Sequence, residues 1–242
     1  MASTSETGHV KNIDNFHKLI ALCTTYGATY NPARTHLQLA SLNDLYTTAR
    51  NSMADVNTAK TALINATNAR QTAFDPLRKL CTRIINALDA SEASQKLVED
   101  AKTINRKIQG ARSTPKPLPQ SEASQDKTIS ASQQSYGSLA ANFAKLIEIL
   151  ENEPAYTPNE ADLQVAHLQQ YHNTLMQTNI EVDNAYANYT NARIARNNIL
   201  YTPGSGLVDT ALDAKKYIKS VYGTDSLQYK HINKINFKNR KE

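Results

Sequence analysis

Residues 34–74 read RTHLQLASLNDLYTTARNSMADVNTAKTALINATNARQTAF and contain neither glycine nor proline. A stretch of this length without a helix breaker favours one long helix over strands. Apolar side chains recur every seven residues within it, at Leu42, Ala49, Val56 and Leu63, and Arg70 takes the next position. This spacing predicts an apolar seam along a helix of about 40 residues, roughly 60 Å long at 1.5 Å per residue.

A second stretch has the same character. No glycine or proline lies between Asn159 and Thr202. Its seven-residue row is Leu168, Leu175, Val182 and Tyr189. The sequence therefore predicts a second long helix with its own seam.

Four pairs of similar strings occur in the same order in the two halves of the chain. The strings are NFHKLIALC (15–23) with NFAKLIEIL (142–150), YNPARTHLQLASL (30–42) with YTPNEADLQVAHL (156–168), NATNAR (65–70) with NYTNAR (188–193), and RIINALDASEASQ (83–95) with KYIKSVYGTDSLQ (216–228). This order predicts an internal duplication.

The pattern predicts an all-α fold, an elongated helical bundle made of two four-helix units that each contain one long helix. The predicted segments are a disordered N-terminus (1–9), repeat unit 1 (10–109), a linker rich in proline and serine (110–134), repeat unit 2 (135–236) and a basic tail (237–242).

Each long helix is predicted to begin at a capping residue followed by proline, at Asn31-Pro32 and at Thr157-Pro158. The cap satisfies an amide that has no partner within the helix, and proline fits the first helical position. Two arrangements stay open. The units form two separate four-helix bundles, or the long helices pair and fuse them into one. We favour the fused form, because short flanking helices cannot cover a long one.

The repeated Asn-x-Thr-Asn-Ala-Arg string supplies the candidate binding residues. They are Asn65, Thr67, Asn68 and Arg70 in the first half and Asn188, Thr190, Asn191 and Arg193 in the second. A guanidinium with amide and hydroxyl neighbours can bind an anion between the two halves. The alternative is packing of the two arginines with ion pairs to Asp89, Asp209 or Asp213.

The charge of the chain is uneven. Its formal net charge is +5, yet residues 214–241 hold eight Lys and Arg against one Asp. The basic tail candidates are Lys230, Lys234, Lys238, Arg240 and Lys241. They predict a surface for nucleic acid or an acidic partner, with a solvated helix end as the alternative.

No combination of residues indicates catalysis. The six histidines are predicted to lie on the surface, because none has an equivalent in the other half. Cys23 and Cys81 align with Leu150 and Ala214, which predicts two buried thiols. We predict no catalytic residue, no metal site and no cofactor.

No apolar run is long enough to span a bilayer, and the first residues do not resemble a secretion signal. We expect a cytoplasmic protein. Export by a route that needs no signal sequence stays open as an alternative. The expected partner is another protein or a second copy of this chain, with nucleic acid as a further possibility.

The Tyr-x-Pro and Thr-Asn-Ala-Arg motifs, together with AKTINRKIQG (101–110) and SQQSY (132–136), resemble a group of bacterial hypothetical proteins. The resemblance covers most of the chain and implies a helical fold and no particular activity. The expected function is a non-enzymatic structural or scaffold role, and self-assembly is one form that this role could take. The alternatives are association with nucleic acid through the basic end and binding of a small anion between the halves.

Overall fold

The computed structural model describes residues 4–110 and 134–239, with side chains from residue 8 onward. Within these ranges the chain forms α-helices, short 3₁₀ turns and connecting loops, with no strand. The predicted all-α fold is confirmed. Most of the predicted linker, residues 111–133, lies outside the described residues, as do Arg240 and Lys241 of the predicted basic tail.

Eight α-helices are present in the described part of the chain. They are α1 (Thr4–Thr25), α2 (Leu39–Phe74), α3 (Leu77–Asp89), α4 (Gln95–Gln109), α5 (Tyr136–Glu151), α6 (Val165–Tyr201), α7 (Leu207–Tyr222) and α8 (Leu227–Asn233). The 3₁₀ turns cover Gly27–Thr29, Thr35–Leu37 and Ala161–Leu163. The helix order of residues 4–110 therefore recurs in residues 134–239.

The two long helices are present and close to their predicted lengths. Helix α2 has 36 residues and α6 has 37. The predicted seams are buried over their first three positions, which are Leu42, Ala49 and Val56 in α2 and Leu168, Leu175 and Val182 in α6. Further along, Leu63 and Arg70 are half-buried. Seven-residue spacing thus identified the packed side of each helix, because it is a local property of helical geometry.

The predicted start of each long helix is wrong. Asn31-Pro32 and Thr157-Pro158 lie in loops, and α2 and α6 begin only at Leu39 and Val165. A 3₁₀ turn separates each loop from its helix. The turn brings one leucine into the core, Leu37 in the first case and Leu163 in the second, with exposed fractions of 4% and 5%. Burial of these leucines outweighs the capping preference on which the prediction rested.

The first helix begins at Thr4, within the segment that the sequence predicted to be disordered. The His9 side chain is fully buried, and its Nδ1 lies 2.6 Å from the Tyr201 hydroxyl. His9 therefore corrects the prediction of surface histidines. An aromatic partner far along the chain buries it, and helical spacing within α1 gives no sign of that partner.

The chain divides into two compact units. The first combines the chain up to Leu63 with the chain from Ala185 onward, and the second is Ile64–Asn184. The first unit therefore contains α1, the first part of α2, the end of α6, α7 and α8. The second contains the rest of α2, α3, α4, α5 and the first part of α6. Two four-helix units are not confirmed, because each compact unit contains helical segments of both predicted repeat units.

Helix contacts explain this composition. Helix α4 of predicted repeat unit 1 packs on α5 of predicted repeat unit 2, and α1 packs on α7. The short flanking helices are 13 to 22 residues long, except α8 with seven, so none covers a 36-residue helix alone. Each end of a long helix therefore needs apolar partners from the other repeat to bury its seam.

Each unit has its own apolar core. Phe16, Leu19 and Cys23 of α1 pack with Leu42, Leu207 and Ile218 in the first unit. In the second unit, Phe143 and Leu146 of α5 pack with Ile84, Leu88, Leu168 and Leu175.

Candidate functional site

The retained arginine of α2 lies in a groove of the second unit. The groove has a volume of about 700 Å³ and is lined by residues of both predicted repeat units. Arg70 comes from α2. The other walls come from the start of α5, with Tyr136, and from α6, with His172, Met176, Asn179, Ile180 and Asp183. A volume of this size is ordinary for a small-molecule site.

The guanidinium of Arg70 rests on an aromatic ring. Its Cζ lies 4.3 Å from the centroid of the Tyr136 ring, within the range of a cation–π interaction. Tyr136 also contacts Phe74, whose ring centroid is 4.8 Å away at an interplanar angle of 69°. Helix α5 begins at Tyr136, with the Ser135 hydroxyl accepting a hydrogen bond from the Ser138 amide at 3.1 Å. The capped start of α5 thereby fixes the ring that orients Arg70.

Two buried polar atoms of this groove lack hydrogen-bond partners in the described part of the chain. They are Nε of Arg70, a donor, and Oδ1 of Asn179, an acceptor. A buried polar atom without a partner costs on the order of 1–3 kcal/mol. Both atoms belong to residues that line the same groove. A ligand that accepts at one and donates at the other would recover this cost.

The α6 wall of the groove combines apolar and acidic groups on one helix face. Met176 and Ile180 are four residues apart and remain 42% and 48% exposed. Asn179 and Asp183 form a second pair at the same spacing, which places them beside the first. Asp183 is exposed. The groove therefore contains one cation, one anion and an apolar surface.

The second retained arginine, Arg193, belongs to the first unit. Its Cζ lies 5.7 Å from the ring centroid of Tyr189, four residues earlier on α6. Both retained arginines are thus half-buried and stacked on a tyrosine. The neighbouring predicted binding residues are less enclosed. Asn65, Asn68, Asn188 and Asn191 are exposed, and Thr67 and Thr190 are half-buried.

The three aspartates predicted as alternative partners of the arginines are engaged elsewhere. Asp89 pairs with Lys102 at 3.3 Å. Asp213 accepts from Lys216 at 2.8 Å, and this hydrogen bond holds the pKa of the Asp213 carboxyl below its usual value. Asp209 accepts a hydrogen bond from the Gly204 amide at 2.8 Å.

The basic end is partly tied to the first unit. The segment 234–239 follows α8 as an irregular chain against α1. The Asn12 side chain of α1 binds both backbone polar groups of Lys238. It donates to the Lys238 carbonyl at 2.8 Å and accepts from the Lys238 amide at 3.1 Å. Asn15 donates to the carbonyl of Asn236 at 2.8 Å. The side chains of Lys230, Lys234 and Lys238 nevertheless remain exposed.

The cysteines are buried, as predicted. Both Cys23 and Cys81 are fully enclosed, and burial raises the pKa of each thiol to about 12. A thiol with such a pKa holds almost no thiolate at neutral pH, and thiolate is the reactive form. In the ranges 4–110 and 134–239, no three His, Cys, Asp or Glu side chains come together as a metal site would require. None of the helices in those ranges is both long and apolar enough to cross a membrane.

Sequence reasoning missed several polar residues of the structure. Tyr136 and Asn179 were not singled out, because neither has a partner nearby in sequence. Arg196 is fully buried beside the predicted Arg193, and it donates to Asn197 Oδ1 at 3.0 and 2.8 Å. Arg83 forms a bidentate pair with Asp162, and its hydrogen bond lowers the pKa of that carboxyl. The only signal for buried polar residues in the sequence was the alignment of the two halves, which marked Arg70 and Arg193 together.

Comparison with protein-family models, with curated proteins and with solved structures finds no match to this chain. The resemblance to bacterial hypothetical proteins stays a prediction from the motifs.

Proposed function

We propose that this protein is a non-enzymatic helical structural or interaction protein that associates, with a second copy or another protein, through its long helices. The observation that carries the proposal is a set of large apolar side chains that α6 leaves exposed in the first unit. Tyr186 is 63% exposed and Ile194 is 53% exposed. They lie eight residues apart, about two helical turns.

Burial of these side chains would supply a driving force for association. Fully burying an aliphatic side chain is worth about 1.5–3 kcal/mol. Single exposed apolar residues are common, but two on one helix form a surface that a partner helix can cover. Burial makes Cys23 and Cys81 poor nucleophiles, so neither thiol is a candidate for covalent catalysis.

The test measures the mass of the full-length protein by native mass spectrometry and by light scattering. We expect a multiple of 26.8 kDa, or a protein retained from a lysate of the host. The double variant Tyr186→Ser with Ile194→Ser should weaken this association. Leu227→Ser is the matched control, because Leu227 is 70% exposed on the short helix α8. A protein that stays strictly monomeric and retains no partner would contradict the proposal.

A second candidate function is association with nucleic acid. It is supported by the exposed side chains of Lys230, Lys234 and Lys238. Deleting the end of the chain would also remove the segment that Asn12 and Asn15 hold, so substitution is the cleaner test. Replacing the three lysines with glutamine should reduce retention of DNA or RNA and lower its dependence on salt. Retention that the triple variant leaves unchanged would rule this surface out.

A further inference from the structure

We infer that the groove of the second unit binds a free α-amino acid with an apolar side chain. The ligand would place its carboxylate at Arg70, its ammonium at Asn179 and Asp183, and its side chain on Met176 and Ile180. Each of these residues lines the same groove of about 700 Å³. The inference concerns a ligand within one unit and goes beyond the association proposed above.

The position of the ligand's carboxylate is inferred from Arg70. Its Nε is buried and lacks a partner in the described part of the chain, while its guanidinium lies over the Tyr136 ring with Cζ 4.3 Å from the ring centroid. A planar guanidinium in a fixed orientation binds a carboxylate through two parallel hydrogen bonds. Because the ring already restrains the side chain, little conformational entropy is lost when the ligand binds.

The position of the ligand's ammonium group is inferred from two residues of α6. Oδ1 of Asn179 is a buried acceptor without a partner, and Asp183 presents a carboxylate one turn further along the same helix. An ammonium group donates three hydrogen bonds and carries the charge that Asp183 complements. A simple anion would leave Asn179 Oδ1 unsatisfied and would be repelled by Asp183. The combination of charges therefore favours a zwitterion over an anion.

The apolar side chain of the ligand has a surface to cover. Met176 and Ile180 stand four residues apart on α6 and are 42% and 48% exposed. Ala141 and Ala144 of α5 line the groove as well. These groups suit an aliphatic side chain such as that of leucine, because burial of apolar surface adds affinity in proportion to its area.

The test titrates the full-length protein with L-leucine and follows binding by calorimetry and by the NMR signal of Arg70 Nε–Hε. We expect saturable binding that shifts this signal. Leucinamide lacks the carboxylate and N-acetyl-leucine lacks the ammonium, so each should bind about 10- to 100-fold more weakly, the loss of one charged hydrogen-bonded contact. Glycine keeps both charges without the side chain and should also bind more weakly.

Two variants and two controls complete the experiment. Arg70→Gln and Asp183→Asn should each weaken leucine binding about 10-fold or more. Asp183 is exposed, so its variant is expected to fold normally even if Arg70→Gln does not. Arg193→Gln, the equivalent change in the first unit, and Ile194→Ser should leave leucine binding unchanged.

The inference is overturned if leucine shows no saturable binding, if N-acetyl-leucine binds equally well, or if Asp183→Asn has unchanged affinity. Ile194 belongs to the surface proposed for association and does not line this groove. Failure of the ligand site and failure of the proposed function are therefore separate results.

Discussion

The Tyr156 hydroxyl donates a hydrogen bond to the backbone carbonyl of Leu163 at 2.9 Å, and both residues are buried. The same relationship recurs in the first half of the chain, where Tyr30 donates to the Leu37 carbonyl at 2.8 Å. In both places the bond closes the loop that leads into a long helix. The tyrosine of each Tyr-x-Pro motif therefore holds the 3₁₀ turn before the helix, and the proline does not begin the helix.

Removing this hydroxyl should destabilise the protein. We expect Tyr156→Phe to lower the free energy of unfolding by about 1–3 kcal/mol, because the buried Leu163 carbonyl would lose its partner. Urea unfolding followed by circular dichroism measures the change. Tyr186→Phe is the matched control, since Tyr186 is 63% exposed and its hydroxyl is open to water. Equal stability of the two variants would contradict the role given to Tyr156.

The buried seam of α6 should dominate its contribution to stability. Leu168→Ala is expected to cost about 2–5 kcal/mol, because Leu168 is fully buried in the core of the second unit. Leu227→Ala removes the same atoms from a side chain that is 70% exposed, and it should change stability by less than about 0.5 kcal/mol. Thermal unfolding of both variants gives the comparison. A small effect at Leu168 would mean that the seam is not packed as described.

The two thiols should resist modification in the folded protein. Burial raises the pKa of Cys23 and of Cys81 to about 12 and also blocks access to them. A disulfide reagent at about pH 8 should therefore react slowly with the native protein and rapidly in urea. Rapid labelling of either cysteine in the native state would show that its helix opens or that the thiol is accessible.

Stability should fall at alkaline pH. Burial raises the pKa of Tyr156 from 10.0 to about 12, and the thiols rise from 9.0 to about 12. The unfolded chain loses these protons first, so the stabilisation is complete below about pH 9 and is lost as the pH rises towards about 12. For Tyr156 the difference in pKa between the unfolded and the folded chain corresponds to about 2–3 kcal/mol in the free energy of unfolding.

Urea unfolding between about pH 8 and about pH 11 checks this prediction. Tyr156→Phe lacks the titrating hydroxyl and should lose less stability over that range than the wild type. A pH dependence identical in the two proteins would remove Tyr156 from the explanation.

The clamp between Asn12 and Lys238 should protect the end of the chain from proteolysis. Asn12→Ala removes both hydrogen bonds to the Lys238 peptide and a further donor to the Tyr201 hydroxyl at 3.3 Å. A loss of about 1–2 kcal/mol would raise tryptic cleavage after Lys234 and Lys238 about 5- to 30-fold. Asn43→Ala serves as the control, at an exposed residue whose side chain donates to the Leu39 carbonyl within α2. Unchanged cleavage in Asn12→Ala would mean that other contacts hold the segment.

The local features of the fold were readable from the sequence. The spacing of apolar residues on a helix repeats within a few residues, so the buried row of Leu42, Ala49 and Val56 could be assigned from the sequence alone. The end of α4 is also a local feature, since the residue that follows it is Gly110, whose φ of 75° is the left-handed conformation that glycine adopts at a helix end. Burial of both cysteines followed from their apolar counterparts in the other half.

The grouping of the helices and the candidate site depended on the tertiary structure. A sequence repeat suggests a folding unit, but seams as long as those of α2 and α6 require partners from both predicted repeat units, and the compact units divide accordingly. The repeated motif identified Arg70, whereas Tyr136 and Asn179 join it only because α2, α5 and α6 meet in one unit. The sequence by itself determined which faces of the helices are apolar, because that depends on local periodicity. The tertiary structure alone decided which faces meet, because burial is satisfied by whichever segments the complete chain can bring together.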